Sequence, residues 1–292
     1  MDQPFHYREE GRRLRAAAGK FAQLDGVRLA YGTLGERGTP VLLVMGYTVP
    51  GSAWVHQVPA LSAHHRVAWY DHRGCGATEA APGAYSMRLL ASDAERLLDH
   101  LGWDTAHVVG VSMGGMVSQE LALRARRRIR SLTLIATHAG GMVSRVPPWA
   151  GLKRFVHANL APRSQRFEIL KRLLFPDDFL ARCDQEWLEW VLRNDFGTPI
   201  PTRYRLSQLA AVMRHDTRRR VGQLRGLPTL VVGAGRDALV QPAACERLHR
   251  LLPGSRFHVF QEAGHAVIRQ CYAALNELLL EHFAAADRAR SG

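Results

Sequence analysis

The chain has 292 residues, 47% of them hydrophobic and 22% charged, which excludes a disordered protein, and no run approaches the roughly 20 apolar residues of a membrane span. Its formal net charge of +13 comes largely from arginine. No helix-turn-helix, zinc-finger or aromatic RNA-binding pattern accompanies the basic runs, so a nucleic-acid partner is not expected. The four cysteines, Cys75, Cys183, Cys245 and Cys271, lie far apart with no CxxC pair and no histidine at ligand spacing, so they read as free thiols with no metal site.

The N-terminus, MDQPFHYREEGRRLR, has no apolar core of a secretory signal, and a cytoplasmic location is the expectation. Next comes FAQLDGVRLAYGTLG, two runs of partial alternation about Asp25-Gly26, a dipeptide that favours a hairpin turn. The pattern then changes to short continuous apolar runs: VLLVMG at 41–46, RVAWYD at 66–71, HVVGVS at 107–112, SLTLIAT at 131–137, PTLVVGAG at 228–235 and RFHVF at 256–260. Strands covered on both faces of a parallel sheet look like this. Helical spacing fills the intervals at Met87 to Leu101, Gly114 to Arg128, Ala243 to Leu252 and Val267 to Phe283.

The rhythm breaks between about His138 and Gly222, where helix-like pieces and prolines replace any strand run. The expected architecture is therefore α/β: a mostly parallel, doubly wound sheet with an inserted helical cap. Residues 1–137 and 223–292 make the core domain and residues 138–222 the cap.

Chemistry concentrates at Gly110-Val111-Ser112-Met113-Gly114. The pentapeptide GxSxG gains meaning from its place between a strand run and a helical pattern, because that tight turn lifts the serine hydroxyl out of the backbone and aims a helix N-terminus at it. A serine hydroxyl is a weak nucleophile and needs a base with an orienting acid. Asp237 follows the strand run LVVG and His265 follows the last strand run, so both fall at the same sheet edge as Ser112, where open α/β sheets place their ligands. Ser112 is read as nucleophile, His265 as general base and Asp237 as the group that orients it. Two backbone amides are candidates for the oxyanion: Met113, at the start of the helix, and Tyr47, in the loop after VLLV. Asp71 and Arg73 are expected to brace the loop beneath the site as a pair. The cap aromatics are expected mainly to build the cap's own core, with Trp149, Phe155, Trp187 and Trp190 as candidates to line an apolar pocket.

Five ordered segments carry a resemblance: MGYTVPGSAW at 45–54, DHRGCG at 71–76, GVSMGG at 110–115, GRDALVQP at 235–242 and EAGHAV at 262–267. Together they resemble the α/β-hydrolase superfamily, in the branch of esterases, enol-lactonases, carbon–carbon bond hydrolases and cofactor-free haloperoxidases. The likeness spans nearly the whole chain but not the cap. Many relatives have His-Gly where this chain has Met45-Gly46, so the supporting bonds of that loop are expected to differ. The resemblance implies a serine hydrolase without cofactor, acting on a small, partly apolar carboxylic ester or lactone through an acyl-enzyme on Ser112. Carbon–carbon cleavage or perhydrolysis by the same triad is the alternative within enzymes, and a ligand-binding, receptor-like or scaffold protein with little turnover is the alternative outside them. Oligomeric state stays open.

Overall fold

The computed structural model of the chain describes residues 6–79, 83–141 and 148–291. Its centre is an eight-stranded sheet: β1 Lys20–Leu24, β2 Val27–Leu34, β3 Pro40–Val44, β4 Arg66–Tyr70, β5 Ala106–Val111, β6 Ile129–Ile135, β7 Thr229–Ala234 and β8 Arg256–Phe260. The order across the sheet is β1-β2-β4-β3-β5-β6-β7-β8. The hairpin at Asp25-Gly26 forms as expected, with Leu24 opposite Val27 and Gly26 at φ +71°. β2 also runs antiparallel to β4, and every later pair is parallel.

Continuous apolar runs become strands because both faces are covered: every residue of β3, β5 and β7 is buried. One face carries α3 Met87–His100, α4 Met113–Arg124 and α10 Pro242–Leu251, whose Leu90, Leu97, Met116, Leu121 and Leu248 pack on Leu42, Val108 and Val231. The other carries α1 Tyr7–Ala17, α2 Val58–Ser62 and α12 Tyr272–Ser291, through Leu14, Leu61, Leu275, Leu279 and Phe283 against Val41, Val109 and Leu230. Each such fully buried side chain contributes about 1.5–3 kcal/mol, so the two apolar faces hold the sheet rigid beneath the strand ends.

Two helix boundaries and one whole helix depart from expectation. The helix after Ser112 stops at Arg124, and Arg126–Arg128 form a separate 3-10 turn. There the Arg128 guanidinium bonds the carbonyls of Trp103 and Asp104 and the carboxylate of Asp99, a local satisfaction that competes with continuing the helix. The helix expected from Val267 to Phe283 divides at Cys271 into α11 Val267–Gln270 and the longer α12. Helix α1 was not expected at all. It buries only Gly11 and Leu14, too narrow a stripe to stand out among its charges.

Between β6 and β7 lie α5 Trp149–Leu160, α6 Arg163–Leu174, α7 Asp177–Arg182, α8 Gln185–Phe196 and α9 Thr202–Arg214. Residues 142–147 of the expected cap interval lie outside the described residues. Four of the five helices begin directly after a proline, Pro148, Pro162, Pro176 or Pro201. Proline is tolerated at a helix start, where its missing N–H removes no intrahelical bond, so these prolines separate the helices without breaking them. The two ends of the segment are tied together: Gly140 bridges Asp216, and the Thr217 amide donates to the Ala139 carbonyl at 2.8 Å. Asp195 of α8 takes the Arg269 guanidinium of α11 at 2.5 and 3.3 Å, and Arg269 donates to His56 Nδ1 at 2.6 Å. Trp190 of α8 rests on α1, its ring 5.2 Å from that of Tyr7.

Candidate active site

Strand β5 delivers Ser112 at its carboxyl end, and α4 leaves immediately after it. The turn between them forces Ser112 to φ +55°, a region that costs a non-glycine residue about 1–3 kcal/mol and persists only when its surroundings impose it. Here the imposition is steric and polar. A Cβ on Gly110 would stand 2.4 Å from the Gly114 carbonyl oxygen, and one on Gly114 would stand 2.1 Å from the Val44 oxygen. The Ser112 amide donates to the Ile135 carbonyl at 2.8 Å, which fixes the turn to β6.

Asp237 lies beyond the end of β7. Its Oδ1 accepts the amides of Leu239 and Val240 at 2.7 and 2.9 Å, a local turn that locks the carboxylate and leaves Oδ2 for another partner. That partner is His265, beyond β8: Nδ1 lies 2.7 Å from Asp237 Oδ2, and Nε2 lies 3.0 Å from Ser112 Oγ. The Asp237 side chain is completely buried and that of His265 is 10% exposed. With Nδ1–H donated to the carboxylate, Nε2 presents its lone pair to the serine hydroxyl, which donates to it. Glu262, close to His265 in the chain, is solvated and pairs instead with Arg236.

The loop after β3 closes the other side. A Cβ built on Gly46 would sit 3.3 Å from Ser112 Cβ and 3.9 Å from its Oγ, so this backbone passes directly beside the hydroxyl. Neither the Tyr47 nor the Met113 amide has a hydrogen-bond acceptor among the described residues. Met113 is the first residue of α4, where amides have no intrahelical partner.

The loop is supported from the core by His72, which donates Nε2–H to the Met45 carbonyl at 2.8 Å. Burial holds the His72 imidazole below its ordinary pKa, so it stays neutral and keeps that tautomer. Asp71 and Arg73 do not pair with each other, contrary to expectation. Asp71 caps the amides of Gly51 and Ala77 at 2.7 and 2.8 Å, whereas Arg73 forms a buried bidentate pair with Asp93 at 2.6 and 2.7 Å. Both brace the loops beneath the site, separately. Both residues follow the end of β4, where the chain leaves the sheet and turns from Arg73 onward, and the carboxylate that Arg73 reaches is that of Asp93 on α3.

Above the loop, Tyr47 reaches into the cap: its hydroxyl donates to the Arg205 carbonyl at 3.2 Å and approaches Asn159 Oδ1 at 3.4 Å. Burial, the main cause, pushes the Tyr47 phenol up to about 12, so it remains a neutral donor. Phe155 meets this ring at 5.8 Å. The other three cap aromatics lie elsewhere. Trp149 is 78% exposed, because six residues at roughly 100° each put Phe155 about 120° around α5 from it. Trp187 packs against Phe175, Phe179 and His56 at the seam between cap and core, and Trp190 lies on Tyr7. Gln208 of α9, which sequence reasoning passed over, is fully buried and accepts the Thr48 amide at 3.0 Å. Among the described residues no cluster of His, Cys, Asp and Glu could hold a metal ion, and no helix is long and apolar enough to cross a membrane.

Residues 39–268 match the family model described as alpha/beta hydrolase fold. The chain is 31% identical over 258 residues to a protein of Azorhizobium caulinodans named as the carbamate hydrolase RutD, covering 83% of this chain and 90% of that protein. It is 29% identical to a protein of Mycobacterium tuberculosis named as the non-heme bromoperoxidase BpoC, covering 88% of this chain and 98% of that one. Among solved structures, the enol-lactonase from Burkholderia xenovorans LB400 superposes with a TM-score of 0.80 at 27% identity, over 91% of this chain and 100% of that chain.

Proposed function

Since the chain belongs to the alpha/beta hydrolase fold family and is an enzyme of hydrolase type, we propose that it cleaves a carboxylic ester or lactone through an acyl-enzyme on Ser112. The observation that carries this reading is the unbroken chain from Asp237 Oδ2 through His265 to Ser112 Oγ, at 2.7 and 3.0 Å, beside two backbone amides that have no acceptor among the described residues.

In the first half-reaction Ser112 Oγ bonds the carbonyl carbon while its proton passes to His265 Nε2. The carbonyl π pair moves to oxygen, and that oxyanion accepts from the Tyr47 and Met113 amides. Preorganised donors of this kind are worth about 2.7–4 kcal/mol each in the barrier. Collapse breaks the bond to the leaving oxygen, which takes the proton from His265. In the second half-reaction water attacks the acyl carbon, His265 takes its proton, and the same proton returns to Ser112 Oγ as the acid leaves. Asp237 stays ionised throughout and holds the imidazole in the productive tautomer.

The inserted helices act as a cap over this edge of the sheet, with α5 and α9 seated on the Tyr47–Thr48 loop, and Phe155 with the Tyr47 ring supplies an apolar wall for the acyl or ring portion of the substrate. An enol-lactonase among the similar structures supports inclusion of lactones.

A panel of nitrophenyl esters, aliphatic and enol lactones and carbon–carbon cleavage substrates tests the reading. Turnover of esters or lactones, abolished in Ser112→Ala, is the expected result. Turnover equal in wild type and Ser112→Ala removes the mechanism, and no turnover of any ester or lactone removes the substrate class.

A further inference from the structure

The oxyanion loop is gripped from two sides, and one of the grips comes from the cap. The amide assigned to the oxyanion belongs to the Gly46–Tyr47 peptide. On its N-terminal side the Met45–Gly46 peptide is held by the core, through the His72 bond to the Met45 carbonyl at 2.8 Å. On its C-terminal side the Tyr47–Thr48 peptide is held by Gln208, whose Oε1 accepts the Thr48 amide at 3.0 Å. Gln208 is also fixed at its other atom: Nε2 donates to the Arg73 carbonyl at 3.1 Å, and the Cys75 thiol neighbours the same amide. With an N–H facing one end and a carbonyl facing the other, the side-chain amide has a single satisfied orientation.

This grip has something to restrain. Thr48 stands at φ +57°, an outlier for a β-branched residue, and one residue away from the catalytic amide. A peptide plane released here would rotate toward ordinary backbone and carry the Tyr47 amide with it. The Tyr47 ring cannot substitute for the grip, because it is tied to the same helix, by its hydroxyl bond to the Arg205 carbonyl of α9.

We propose that Gln208 is a positioning residue, through which cap helix α9 sets the orientation of the Tyr47 amide and makes oxyanion stabilisation depend on a seated cap. The inference rests on the Ser112 mechanism above. It predicts a loss in the transition state with little change in substrate binding, because a carbonyl oxygen of the bound ester asks far less of the amide than the oxyanion does.

The test uses the full chain with Gln208→Met, which keeps the length of the side chain and removes both bonds. Active sites are counted by burst titration with a phosphonate, so that kcat refers to folded, competent enzyme. We expect kcat per titrated site on an ester substrate to fall 10- to 100-fold with KM within threefold. Affinity for a trifluoromethyl ketone, which forms a tetrahedral adduct on serine, should fall by the same factor as kcat/KM, while inhibition by the carboxylate product stays unchanged. Gln208→Asn, which withdraws the amide by one methylene, carries the same test should the methionine variant not accumulate as folded protein.

A kcat per titrated site within twofold of wild type in the folded variant overturns the proposal, as does a loss confined to KM. The comparison with Ser112→Ala separates the two levels: turnover that survives Ser112→Ala defeats the mechanism, whereas turnover that needs Ser112 but ignores position 208 defeats only this inference.

Discussion

Replacing Asp237 with asparagine isolates electrostatics and tautomer control from folding. The two side chains share shape, and the asparagine oxygen can keep the bonds from the Leu239 and Val240 amides that Asp237 Oδ1 now accepts at 2.7 and 2.9 Å. Those two donors admit only an oxygen, so the NH2 group is forced to the position of Oδ2, 2.7 Å from His265 Nδ1. Two N–H donors cannot face each other there. His265 must turn its Nδ1 lone pair toward the asparagine, which places the proton on Nε2, where the Ser112 hydroxyl needs an acceptor 3.0 Å away. The base is lost without moving any heavy atom, and the imidazolium formed during attack loses its counter-charge. A loss of about 10⁴-fold in kcat follows, equivalent to about 5.4 kcal/mol at about 1.36 kcal/mol per decade. Stopped assays on a nitrophenyl ester with enzyme at micromolar concentration cover that range, and circular dichroism with thermal melting checks the fold. An Asp237→Asn enzyme retaining a tenth or more of wild-type kcat would refute the assignment of the acid.

Two further perturbations bear on the scaffold. Asp195→Ala strips the partner from the Arg269 guanidinium, which is 1% exposed at its side chain, and removing one member of a buried pair costs about 3–5 kcal/mol. With roughly 2.1 cal/mol/K of unfolding entropy per residue, a chain of this length should melt about 5–8 °C lower, and the double variant Asp195→Leu/Arg269→Met should recover much of the difference; a shift under 1 °C in the single variant contradicts a stabilising role for the pair. Burial, the leading cause, holds His107 and His282 down at about 4, and His56 is displaced in the same direction. The unfolded chain binds protons near pH 6.5 that the folded chain refuses, so this stability is complete above pH 6.5 and drains as pH falls toward 4, by up to about 3 kcal/mol for each of the two. Urea midpoints should therefore drop clearly between pH 7.5 and pH 5, and equal midpoints would contradict the buried, neutral state of these rings.

The sheet was legible because strands covered on both faces have one requirement, continuous apolar residues, and VLLV, HVVGV and TLVVGA meet it without ambiguity. The elbow was legible for a related reason: Gly110 and Gly114 stand where any Cβ would strike backbone within 2.4 Å, and such a need leaves a fixed spacing in the chain. The positions of Asp237 and His265 followed from strand ends. Side-chain direction in the cap was not legible. Aromatic content alone cannot distinguish Phe155, which meets Tyr47, from Trp149, which faces solvent, because the helix phase relative to the core is set by packing across the insertion. Gln208 was invisible on the same ground. A glutamine on a helix ordinarily faces water, and only the arrival of the Thr48 loop, 160 positions away, and of the Arg73 carbonyl, 135 positions away, gives it partners. Asp71 and Arg73, neighbours in the chain, read as a pair until α3 brought Asp93 to the arginine.

The nucleophile itself admits the most direct measurement. The protein is incubated with a fluorophosphonate, digested and read by mass spectrometry, beside Ser112→Ala and protein unfolded in urea. One phosphonyl group per chain on the peptide bearing Ser112, absent from both controls, is the predicted result. Stoichiometric labelling at another residue of the folded protein, or labelling that persists in Ser112→Ala, would contradict it.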